Sequence, residues 1–74
     1  MAVTLIIAGG LREYVGARQR VEMAVGLRLG EMIQMAGIPP GLVAGLVRGD
    51  ELLSKDYRPE EGETIKIIAV MGGG

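Results

Sequence analysis

The chain has 74 residues, enough for one domain and no more. It contains neither cysteine nor histidine, which excludes a disulfide staple, a Cys/His zinc site and any Ser-His-Asp or Cys-His catalytic arrangement. Eight basic and nine acidic residues leave a net charge of −1, and Tyr14 and Tyr57 are the only aromatics, so neither charge nor base stacking points to a nucleic-acid partner.

A domain this small buries only about 60% of the surface its unfolded chain exposes, so it depends on packing. The 49% hydrophobic content fits that and is too high for a disordered chain. Little room remains for a catalytic pocket, and a self-sufficient enzyme is not expected. Charge is uneven: residues 50–74 hold three basic and six acidic groups, with Glu60, Glu61 and Glu63 close together. A solvated acidic turn is the expected reading. The start, Met1 to Ile7, lacks the basic opening and long apolar run of a signal peptide. No apolar stretch reaches membrane-spanning length. A cytoplasmic location with no membrane partner is therefore expected.

Val3, Leu5 and Ile7 alternate with other residues and predict a strand from the N-terminus, ended by Gly9-Gly10. Leu11–Gly16 reads as a loop or a short helical turn. A second strand is predicted over Arg18–Val25, with Val21, Met23 and Val25 pointing one way and Arg20 and Glu22 the other. Leu29, Met32, Ile33 and Ala36 then fall at i, i+3, i+4 and i+7, one face of a helix. Gly37 is placed to end it in a left-handed conformation, and Pro39-Pro40 forbids continuation. No Ser, Thr, Asp or Asn marks its start. A third strand is predicted over Leu42–Val47, a turn at Arg48-Gly49-Asp50, and a short strand at Leu52-Leu53. Glu61-Gly62-Glu63 forms a tight turn before a last strand, Thr64–Val70.

Strand, strand, helix, strand, short strand, strand is an α+β order. One helix over a mixed sheet of four to five strands is the economical solution, and it has the pattern of a β-grasp fold, although order alone does not separate that from other small α+β folds. The domain is expected over residues 1–71, with a flexible glycine tail at 72–74. The core should contain Val3, Leu5, Ile7, Val21, Met23, Leu29, Met32, Ile33, Leu46, Ile65 and Ile67. Met23, Met32 and Met35 read as core filler.

Two short motifs carry no function. Gly9-Gly10 lacks the spacing of a phosphate loop and reads as a tight turn. Arg48-Gly49-Asp50 spells an adhesion tripeptide but sits where a hairpin turn belongs. The tail differs. Gly72, Gly73 and Gly74 follow a strand directly, and glycines cost backbone entropy when ordered. Such a tail can be a frayed end. It can also thread a narrow channel, because it has no side chains, and present the Gly74 carboxylate inside another protein.

Leu11-Arg12-Glu13-Tyr14-Val15-Gly16 resembles a segment of the molybdopterin-synthase small subunit. Residues 37–74 resemble that family and its relative, the thiamine-biosynthesis sulfur carrier. The shared features are a strand before Gly49, the Asp56-Tyr57 stretch, the Glu61-Gly62-Glu63 turn and a last strand running into terminal Gly-Gly. Ile68-Ala69-Val70-Met71 stands where the molybdopterin subunits often have aromatic and proline residues, which is closer to the thiamine carrier. The long loop after the first strand is closer to the molybdopterin subunit.

The resemblance implies a ubiquitin-like sulfur carrier, a protein co-substrate with no bound cofactor. Gly74 would be adenylated by a ubiquitin-activating-type enzyme that uses ATP and Mg²⁺, then converted to a thiocarboxylate. Gly72 and Gly73 would give the tail access. The thiocarboxylate would deliver sulfur to a cofactor precursor, with the large synthase subunit of molybdopterin biosynthesis, or a thiazole synthase, as partner. A ubiquitin-like protein modifier, joined through Gly74 to lysine, is the alternative class, and a binding module with an inert tail is another.

One further expectation concerns a docking face. Ile6 is out of phase with Val3, Leu5 and Ile7, and Ile68 and Val70 are out of phase with Ile65 and Ile67. One helix covers only one face of a sheet, so Ile6, Ile68, Val70 and Met71 become candidate partner contacts. Side chains of the 50–60 segment are the alternative cover for that face.

Overall fold

In the computed structural model of the chain, residues 2–70 are described. Five strands form one mixed sheet: β1 (Ala2–Ile7), β2 (Arg20–Ala24), β3 (Val43–Arg48), β4 (Glu51–Leu53) and β5 (Thr64–Ala69). Their spatial order is β2-β1-β5-β3-β4, and one α-helix, α1 (Leu29–Met35), lies between β2 and β3 in the chain. β1 runs parallel to β5, with Leu5 opposite Ile65 and Ile7 opposite Ile67. The other pairings are antiparallel. The α+β order read from the sequence is thus the observed one.

The alternation in β1 and β5 decides what is buried. Val3, Leu5 and Ile7 on β1, and Ile65 and Ile67 on β5, face the helix and are fully enclosed. Leu29, Met32 and Ile33 of α1 close over them, with Leu46 from β3. Val21 and Met23 are half-buried at the rim of this core, because β2 is an edge strand. Leu11 and Ile38 are also core residues, at 2% exposure each. The periodic pattern does not mark them, since each sits outside a regular strand or helix.

Several expectations are corrected. Gly9-Gly10 does not form a tight turn; it opens a 3-10 helix over Gly9–Val15 that carries Leu11 into the core. β2 is shorter than expected, and Val25 lies in the following turn at 43% exposure. Met35 is 68% exposed and fills no core space. It follows Ile33 by two positions, about 200° around a helix, which turns it away from the sheet. Leu42 belongs to a second 3-10 turn, Pro40–Leu42, and not to β3. Arg48 ends β3, leaving Gly49-Asp50 as the two-residue hairpin loop, with φ +62° at Gly49.

The helix start is capped without Ser, Thr, Asp or Asn. The Glu31 side chain accepts the Arg28 backbone N–H at 2.9 Å, the return half of a capping box. Two further N–H groups of the first turn are met by a distant segment: Leu29 N–H donates to Tyr57 O and Gly30 N–H to Lys55 O, both at 2.9 Å. At the other end Gly37 is left-handed, φ +84°, as its position after Ala36 predicts. No helix among the described residues is long and apolar enough to cross a membrane.

Candidate functional site

The sheet face turned away from α1 follows from the strand registers. On β1 it carries Thr4 and Ile6; on β5, Thr64, Lys66 and Ile68. Ile6 stands opposite Lys66, so Ile68 is its diagonal neighbour one pleat further along. On β3, Gly45 is opposite Ile68 and Val47 opposite Lys66. On β4, Leu52 is opposite Val47. Ile6, Ile68, Val47 and Leu52 therefore form one apolar tract across four strands, with the Lys66 ammonium set within it.

Gly45 shapes the tract. A Cβ there would lie 3.4 Å from Leu52 Cδ1, so Leu52 leans into the space that the missing side chain leaves. Leu52 remains 75% exposed. A groove of about 150 Å³ at the β3–β4 edge is lined from both faces of the sheet, by Gly45 and Leu52 and by Leu46, Leu53 and Lys55. Ile6 and Ile68 are half-buried by their neighbours on the same face. Within the 50–60 segment Leu52 lies on this side, while residues 54–59 do not cover it. Tyr57 packs against the core, and the Tyr57 and Lys55 carbonyls bond the start of α1, which places the segment on the helix side.

Of the residues singled out from the sequence, the structure brings Ile6 and Ile68 together on this face. Val70 lies just beyond β5, 48% exposed, with its N–H bonded to Leu42 O at 2.9 Å. Met71, Gly72, Gly73 and Gly74 lie outside the described residues. Gly45, Val47 and Leu52 were not anticipated. The signal for Val47 was present, because Leu46 and Val47 are both apolar and must point to opposite faces. Gly45 and Leu52 needed the β3–β4 register.

A polar cluster fixes the far side of the domain. The Tyr57 hydroxyl donates to Glu63, with its oxygen 2.8 Å from Oε1 and 2.7 Å from Oε2. The Glu60 backbone N–H donates to Glu63 Oε2 at 2.5 Å. Arg48 donates to Glu63, to the Tyr57 hydroxyl oxygen at 2.5 Å and to Glu51 at 2.6 Å. Its guanidinium also lies 5.2 Å from the Tyr57 ring centroid. The expected solvated acidic turn is corrected in part: Glu60 and Glu61 are exposed, but Glu63 is a structural hub.

The cluster shifts its own titrations. Partial burial pushes the Glu63 carboxyl up, but the Glu60 N–H, the Tyr57 hydroxyl and Arg48 together carry it below its ordinary value. Tyr57 is pushed up, first by its bond to the Glu63 carboxylate and then by desolvation. Arg48 is held more firmly protonated by Glu51, Glu63 and Tyr57. Every member is occupied by another, which makes the cluster a brace and not a reactive centre. It ties the end of β3 to the turn that leads into β5. Among the described residues no group of His, Cys, Asp or Glu has metal-binding geometry.

No family model matches the chain. No curated protein matches it either. Among solved structures, SAMP1 from Haloferax volcanii is similar over 100% of both chains, with a TM-score of 0.71 and 16% sequence identity. At that identity the likeness establishes the ubiquitin-like β-grasp fold, which the order of elements alone did not separate from other small α+β folds.

Proposed function

We propose that the chain is a sulfur carrier that works through the Gly74 carboxylate. The observation that carries this reading is the position of β5. It is the central strand of a ubiquitin-like sheet, held by β1 on one side and β3 on the other. Through Val70, anchored on Leu42, it leads in sequence directly into Met71-Gly72-Gly73-Gly74. A rigid central strand fixes where a short tail begins, and four extended residues reach at most about 14 Å from it.

The chemistry suits a domain without Cys or His. A carboxylate resists replacement of its oxygen by sulfur because hydroxide leaves poorly. A ubiquitin-activating-type partner, using ATP and Mg²⁺, would join a Gly74 carboxylate oxygen to the α-phosphorus and release pyrophosphate. The terminal sulfur of a persulfide donor would then attack the carbonyl carbon and expel AMP, and a second thiol would cleave the resulting acyl disulfide, forming a disulfide with the donor's inner sulfur and leaving a thiocarboxylate. The thiocarboxylate would deliver its sulfur to a cofactor precursor, with the large synthase subunit of molybdopterin biosynthesis, or a thiazole synthase in thiamine biosynthesis, as the partner. The apolar tract of Ile6, Val47, Leu52 and Ile68 would dock the partner, with the candidate contacts Val70 and Met71 next in sequence toward the tail, offsetting the entropy lost when the tail is ordered.

ATP–pyrophosphate exchange with the cognate activating enzyme tests the reading. Deleting Gly74 should leave binding nearly intact and abolish exchange, because small misplacements of a reacting group are costly to rate. Exchange by the truncated chain at the full rate would remove the carboxylate from the mechanism. The mass of the activated product separates outcomes: a C-terminal thiocarboxylate supports the carrier, and Gly74 found joined to lysine supports a protein modifier instead.

A further inference from the structure

β2 is an edge strand with its outer side open, and its hydrogen-bonding parity can be read from its neighbour. Ile7 N–H donates to Gln19 O at 2.8 Å, which puts residues 7 and 19 at a hydrogen-bonded position of the β1–β2 ladder. The unbroken register from Ala2–Ala24 to Ile6–Arg20 then makes Leu5–Val21 and Val3–Met23 bonded pairs as well. The even residues of β1 face the other way, and Thr4 N–H accordingly donates to Glu63 O on the β5 side. The N–H and C=O groups of Arg20, Glu22 and Ala24 therefore point off the sheet. The strand has no proline, no interior glycine and no bulge to discourage pairing.

We infer that this edge pairs with the same edge of a second copy of the chain, antiparallel about a twofold axis at Val21. Only even residues carry outward groups, so mutually bonded pairs must join even residues. Four registers satisfy this near the strand centre; an axis through Met23 sets Glu22 against Ala24 and gains no charge pair. An axis through Glu22 sets Glu22 against Glu22, and an axis through Arg20 sets Arg20 against Arg20; both oppose like charges. The axis at Val21 sets Arg20 of each copy opposite Glu22 of the other, on the same sheet face. Opposite charges directly across an antiparallel pair are favourable and like charges are not.

Both side chains are exposed, and neither is in an ion pair with another described residue. On the helix face the same register brings the two Val21 side chains together in a close, non-bonded pair and sets Gln19 opposite Met23. Val21 and Met23 are the two residues of β2 that pack against the core, and one copy leaves both half-buried. The charge pattern, the backbone parity and the incomplete apolar cover thus select one register. The product is a continuous sheet through both copies, with the outer apolar tract and the β5 end left free. A contact of one strand pair is small, so association belongs at the weak end of interfaces.

Sedimentation equilibrium of the full chain, from micromolar to millimolar, reads the association. Arg20→Glu and Glu22→Arg should each weaken it about tenfold, since each replaces two attractive pairs by two repulsive ones. The double variant should restore it. Unchanged circular dichroism in the single variants keeps a folding defect from imitating the result. Amide exchange at Arg20, Glu22 and Ala24 should slow as concentration rises, while Val21 and Met23, already bonded to β1, stay constant. A chain that remains monomeric at millimolar concentration overturns the inference. So does an association that the charge reversals do not change, or exchange at the three outward amides that ignores concentration.

Discussion

Tyr57 donates its hydroxyl into the fork of the Glu63 carboxylate, across the gap between the segment that caps α1 and the turn that starts β5. This bond has a definite pH signature. Glu63 titrates below its ordinary value of 4.5, so its contribution is full above that pH and is lost as pH falls through the lowered value. Tyr57 titrates above its ordinary 10.0, so its contribution is full below pH 10 and is lost as pH rises through the raised value. Glu63→Gln should lower the melting temperature by a few degrees at neutral pH, with the deficit shrinking on acidification below pH 4.5. Tyr57→Phe should show the matching convergence above pH 10. Melting curves across pH check both, and a deficit that is constant with pH would rule out the linkage.

Ile33 and Met35 are two residues apart on one helix and should respond oppositely to truncation. Ile33 is enclosed and Met35 is 68% exposed. Ile33→Ala should destabilise by about 2–5 kcal/mol. Met35→Ala should stay within about 0.5 kcal/mol of the parent. Urea unfolding midpoints measure the contrast.

Gly37 holds φ +84° after the helix, and a Cβ there would lie 3.5 Å from the Tyr14 carbonyl oxygen. Space is adequate, so the penalty for Gly37→Ala is conformational. It should destabilise by about 1–2 kcal/mol, the cost of a left-handed L-residue. An equal or higher unfolding midpoint would mean that the turn relaxes to another conformation.

Ile6→Asp and Ile68→Asp place charge in the apolar tract without touching the enclosed side chains behind the sheet. Each should weaken binding to the activating enzyme while far-UV circular dichroism remains that of the parent. Titration calorimetry against that enzyme is the measurement. Parent-like affinity in both variants would move the docking surface elsewhere.

The strands and helix were legible where side-chain period is tied directly to burial. Val3, Leu5 and Ile7 alternate because one face of β1 is covered, and Leu29, Met32 and Ile33 repeat because one face of α1 covers it. Out-of-phase Ile6 and Ile68 likewise announced a second apolar face before any strand order was known. Period says nothing about residues outside regular elements. Leu11 and Ile38 enter the core from a 3-10 helix and a loop, and Met35 leaves it, because position there depends on how the chain turns. The Arg48–Tyr57–Glu63 brace joins groups separated by 6 to 15 positions, and only the closing of β3 and β5 side by side brings them within bonding distance. The free side of β2 was invisible for the same reason. Arg20 and Glu22 read from sequence as a solvated face, but which backbone groups point off the sheet depends on the β1 register, and register is a property of two strands, not of one.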